Sequence, residues 1–215
     1  MKRLLTAALV LIACAGASAQ PKAYDPMDDL VSTAKKEINA KGAIEQSKSR
    51  VDKDPRRQKV EKGFWQFFQG KRDARPGEFC TAVFWKADRM ITVTGPGGAY
   101  RGAMLGFVAV EPGEGFPRPD DAKAIQKVQV TLKQGTDAPA RVTAFNRTIG
   151  GMSDEIAFAV PTIDAALAGM EDKLAFTIDH EGKQIFSLAW HSGLAARDVM
   201  KKCLKGENVE GREVP

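Results

Sequence analysis

The stretch KVQVTLK, residues 127–133, alternates Val128, Val130 and Leu132 with Lys127, Gln129, Thr131 and Lys133. Successive side chains of a strand point to opposite faces, so this pattern makes one face apolar and the other wet. KLAFTID, residues 173–179, repeats the scheme with Leu174, Phe176 and Ile178 on the buried side. Parallel strands are covered on both faces and need a crossover helix between each pair. Short half-wet strands joined by tight turns therefore predict an antiparallel β domain.

Working outward, Gly and Pro punctuation separates strand-like runs at 79–86, 89–94, 100–110, 124–133, 140–147, 154–160, 173–180 and 183–190. About eight such strands predict a β-sandwich or a barrel. GPGGAYRG, residues 95–102, lacks the Gly-Lys-Ser/Thr ending of a phosphate loop and reads as a turn between strands. Two short helices interrupt the pattern. One runs from Ile163 to Ala168, with Thr162 as N-cap and Gly169 as its stop. The other closes the domain after Ser192 as N-cap, with Ala195, Val199, Cys203 and Leu204 on one face.

The chain before the strands reads as helical. Asp25-Pro26-Met27-Asp28 carries the N-cap, first-turn proline and early acid of a helix start. Met27, Leu30, Val31, Ala34 and Ile38 then form a narrow apolar stripe. Asp54-Pro55 repeats the start signal, and Val60, Phe64, Phe67 and Phe68 recur at helical spacing as far as Gly70, with Trp65 beside them. The Phe64, Trp65, Phe67 and Phe68 cluster is the expected docking face of this arm, because large aromatics dominate such contacts.

The first residues decide where the chain goes. Met1-Lys2-Arg3, a short apolar run and Ala17-Ser18-Ala19 make a secretory signal peptide cut between Ala19 and Gln20. Leu11-Ile12-Ala13-Cys14 also resembles the lipobox of bacterial lipoproteins, which implies acylation of Cys14 and an outer-membrane anchor instead. The apolar run is too short to span a bilayer, so no transmembrane helix is expected in the mature chain. The division that follows is signal peptide 1–19, basic helical arm 20–70, β domain 71–205 closed by its helix, and a polar, frayed tail 206–215.

Charge and cysteines bound the function. Residues 22–75 carry fourteen basic and nine acidic side chains, a net +5, whereas residues 76–215 carry sixteen and eighteen, a net −2. That asymmetry points to an anionic envelope surface or a protein partner for the arm. The arm has no aromatic stacking platform for nucleic acid. Export leaves Cys80 and Cys203 in an oxidising compartment, where they are expected to form a disulfide. His180 and His191 sit at opposite ends of one strand and cannot share a metal, and no cofactor loop can be assembled. Asn146-Arg147-Thr148 fits a glycosylation acceptor only in a eukaryotic source. The resulting expectation is a periplasmic or secreted bacterial envelope protein with a binding or structural role. The competing one is a hydrolase whose carboxylates, among Asp154, Glu155, Asp179 and Glu181, are brought together by the fold.

Overall fold

The computed structural model describes residues 53–111, 115–121, 124–149 and 153–215. The expected helices over 20–52, Cys14 and the Ala19–Gln20 junction lie outside them. The elements in chain order are α1 (Pro55–Lys62), β1 (Phe64–Gln69), β2 (Cys80–Lys86), β3 (Arg89–Thr94), β4 (Ala103–Ala109), β5 (Gln126–Gln134), β6 (Ala140–Ile149) and β7 (Ser153–Val160). There follow α2 (Ile163–Ala168), β8 (Leu174–His180), β9 (Lys183–Trp190), α3 (Gly193–Leu204) and β10 (Glu213–Val214).

All eight expected strands form, and two more join them. They make one antiparallel sheet in the order β10-β1-β2-β3-β4-β7-β6-β5-β8-β9, curled into a half-barrel. This replaces both the sandwich and the closed barrel, since the two outermost strands are not hydrogen-bonded to each other. The apolar face simply curls onto itself. Phe107 on β4 meets Phe158, Phe176 and Phe186 edge-on at 5.7, 5.1 and 5.3 Å between ring centroids, and Trp65 on β1 reaches Trp190 on β9 at 5.2 Å. Offset and edge-on contacts of this kind add to the burial of the rings themselves.

The second helix of the expected arm is only half helical. Asp54 caps α1 by accepting from the Arg56 N–H at 2.8 Å, as its sequence predicts, but the helix stops at Lys62. Gly63 takes φ +91°, and a Cβ there would lie 2.4 Å from the Phe84 ring. FWQFF then runs on as β1, paired with β2. Trp65 and Phe67 point into the core at 0 % exposure, while Phe64 and Phe68 face outward. Phe64, Phe67 and Phe68 satisfy a helical period and a strand period alike, and aromatic residues favour the strand.

The tail is anchored as well. Val209 is buried, β10 pairs with β1, and Gly211 and Arg212 exchange main-chain hydrogen bonds with Phe67. The sheet therefore takes in residues on both sides of the expected 71–205 boundary.

α2 forms at the expected residues, with the Thr162 hydroxyl accepting from the Ala165 N–H. α3 packs against β1 and β2. Its buried side is Gly193, Ala196, Met200 and Cys203, with Val199 and Leu204 packed partly buried beside them, so three of the four expected residues meet the core and Ala195 alone lies outside. Cys203 is bonded to Cys80 on β2, with Cα atoms 5.9 Å apart, which holds this face against the sheet. No helix among the described residues is long and apolar enough to cross a membrane.

Candidate functional site

β5 and β8 are neighbours for only part of their length. Thr131 to Gln134 pair with Phe176 to Asp179, and there β8 leaves. A register shift falls between Ile178 and Asp179, and Glu181 and Gly182 turn the chain with φ +49° and +77°. The His180 ring then sits 3.3 Å from the Gly115 carbonyl. A groove of about 610 Å³ opens where the pairing would have continued, floored by Lys127, Val128, Gln129, Val130 and Thr131 and walled by Arg141 and residues 179–182.

Main-chain direction makes this groove chemically active. The N–H of Gly135 donates to Ala175 on β8, and strand residues direct their N–H and C=O groups to alternate sides. Odd-numbered residues of β5 therefore face β8, and Lys127 and Gln129 face the groove. The even-numbered residues are spent on the ladder to β6, which runs unbroken from Gln126 to Leu132. Lys127, Arg141, Asp179 and Glu181 bring two charges of each sign, none of them in an ion pair among the described residues. The groove can thus offer main-chain donors and acceptors at strand spacing, an apolar inner lip at Val128 and Val130, and a polar outer lip.

The residues singled out from sequence are placed as follows. Cys80 and Cys203 are joined. Of the four expected docking aromatics, Trp65 and Phe67 are core, which corrects that expectation. Phe64 and Phe68 remain on the outer face, with the Lys59 ammonium 4.2 Å above the Phe64 ring. The four carboxylates are not brought together. Asp154 and Glu155 are consecutive on β7 and point to opposite faces. Asp154 accepts from Arg118 at 2.6 Å and from Thr148 at 3.1 Å, and Glu155 is paired with Arg147. Asp179 lies three strands away from them, on the order of 25 Å along the sheet. Asn146 is buried on the inner face, its side-chain amide without a partner among the described residues. Among the described residues no cluster of His, Cys, Asp and Glu could hold a metal.

His191 and Ser192 do touch, although they are neighbours in sequence. Nδ1 lies 3.1 Å from the Ser192 hydroxyl. Both are committed elsewhere: Nε2 donates to the Lys62 carbonyl, Ser192 donates to the Pro215 carbonyl at 2.7 Å, and Trp65 donates to the His191 carbonyl. The pair ties α1, β1 and the last residues to the end of β9. Ser192 makes no side-chain cap to α3 and takes φ +56°, which corrects its expected role.

Sequence reasoning missed the groove because its active groups are main-chain ones, carried by residues of any type. The one available signal was Glu181-Gly182, a turn that ends β8 short of the start of β5. No family model, curated protein or solved structure matches the chain.

Proposed function

We propose that this is an exported bacterial envelope protein with a binding role, whose β domain is a disulfide-closed scaffold carrying the β5–β8 groove. The Cys80–Cys203 disulfide is the observation that carries the reading, because such bonds form and persist in oxidising compartments. It joins the signal-like first nineteen residues, which call for cleavage between Ala19 and Gln20. Binding is favoured over hydrolysis by what the groove contains: unpaired charges and strand-edge groups, while the carboxylates of β7 are each held by an arginine. The basic segment 22–75 supplies a second contact, with an anionic envelope surface. α1 supports that role, being rich in Arg and Lys and having no buried residue.

Intact-mass analysis of the native protein, recovered from separated cell fractions, tests the reading. The expected species starts at Gln20, carries no lipid and has no free thiol in the envelope or secreted fraction. An uncleaved cytosolic chain with two free thiols at Cys80 and Cys203 overturns it. A chain starting at an acylated Cys14 makes the protein an outer-membrane lipoprotein.

A further inference from the structure

We propose that the groove takes an extended peptide by strand addition to β5, the peptide lying in the lane that β8 vacates after Asp179. This deepens the binding reading of the groove and does not depend on export. An unpaired strand edge is a template for another chain, and natural sheets cover or disrupt such edges. Here Lys127 and Gln129 hold two N–H and two C=O groups toward a lane that no described segment fills. Their separation is the two-residue repeat of any extended peptide, about 6.6 Å.

The walls determine the kind of peptide. Side chains of an added strand alternate between the two faces of the sheet. The inward set would meet Val128 and the 2 % exposed Val130, which favours small apolar residues. The outward set would lie beside Lys127, Gln129 and Thr131. A guest continuing the direction of β8 places its first outward residue near Asp179 and Glu181, with Arg141 level with Asp179 across Thr131, and its last near Lys127. A basic residue fits the first position and an acidic residue the last. Two charges of each sign give the groove no net attraction for an anion or a cation alone. Recognition is by the main chain, with charges setting direction.

The test uses the full mature chain and the blocked peptide acetyl-KVTVE-amide, followed by amide chemical shifts. Lys127 and Gln129 are expected to shift on titration. A strand pairs through one of its two alternating sets of amides, so N-methylating one set should weaken binding about tenfold or more and N-methylating the other should change it little. Gln129→Pro removes a donor that faces the groove and should abolish the shifts, whereas Gln129→Ala keeps that N–H and should bind normally. The proposal is overturned if neither amide shifts, if both methylated peptides bind alike, or if Gln129→Ala is as damaging as Gln129→Pro. It is also overturned if Lys127 and Gln129 shift with protein concentration alone, which makes the occupant a second copy of the chain. Any of these results leaves the mass and fractionation outcome untouched, so failure here and failure of the export reading are separable.

Discussion

On the β1–β2 side of the sheet the edge is occupied: β10 pairs with β1, α3 lies across β1 and β2, and Cys203 is bonded to Cys80. On the β5 side half of one strand has a partner on a single edge only, and no helix among the described residues packs extensively against it. The strands differ as well: β2 is buried from Cys80 to Phe84 on both faces, whereas β5 alternates with its outer face largely exposed. The difference at the edges lies in what the chain does after each strand: one region is closed over, and the other keeps an uncovered strand edge. Covering an edge is the usual protection against unwanted pairing. Among the described residues β9 and residues 140–144 of β6 also lack a partner strand on one side, and what sets the β5 edge apart is the charged groove it opens onto.

Four measurements break or sharpen that contrast. The largest effect is expected on the closed side. Reducing Cys80–Cys203, which spans a sequence separation of 123, should cost about 4 to 5 kcal/mol in the chain-entropy account and lower the thermal midpoint clearly. An unchanged midpoint would show that the aromatic core alone holds the half-barrel together.

Next in size is a pair of proline substitutions on β5. Val130→Pro removes a ladder bond to β6 and should cost on the order of 3 kcal/mol, while Gln129→Pro removes a groove-facing N–H and the exposed side-chain bond from Gln129 to Thr143 and should cost well under half of that. Equal losses in denaturant midpoint would mean that the edge is not open.

A third, intermediate effect concerns the outer face. Glu155 is 3 % exposed at its side chain and lies over Gly106, where a Cβ would meet its Oε1 at 2.2 Å. Arg147→Ala strips this buried carboxylate of its partner. Because Arg147 is itself 41 % exposed, water would compensate in part, and a loss of roughly 2 kcal/mol is expected in urea denaturation.

The smallest effect is pH-dependent. The Arg75 guanidinium, bonded to Glu78 at 2.7 Å, holds the Glu78 carboxyl below its ordinary value of 4.5, and Arg75 is raised in return. A carboxylate depressed on folding stabilises above its unfolded pKa and loses that contribution as pH falls through the folded one. Glu78→Gln should therefore lower stability slightly at neutral pH, since the pair is at the surface, and that difference should vanish as pH falls below about 4.5, leaving the variant with a slightly shallower acid limb. A steep acid limb in the variant would assign that limb to other groups.

The strands were legible because each carries its own period: Val128, Val130 and Leu132 declare a buried face without reference to any other segment. The FWQFF run was not, because residues 64, 67 and 68 fit two periods, and the choice is made by Gly63 under the Phe84 ring and by pairing with β2. The face of α3 was legible but for one residue. Val199, Cys203 and Leu204 meet the core as their period predicts, while Ala196 rather than Ala195 is buried beside them. Of the expected docking face, half was lost to the core once β1 proved to be a strand.

From sequence alone followed the antiparallel class, eight of the strands, the α2 cap at Thr162 and the expected pairing of two cysteines. These depend on local alternation, on turn and cap chemistry, and on counting. Only the tertiary structure decided that a single sheet curls over its own apolar face, that the last residues become a strand, and that β8 departs from β5 at Asp179. Each of these is a matter of which distant backbone groups meet. A side-chain pattern states which face is buried but is silent on which neighbour covers it, and the N–H and C=O groups that line the groove are the same in every residue but proline.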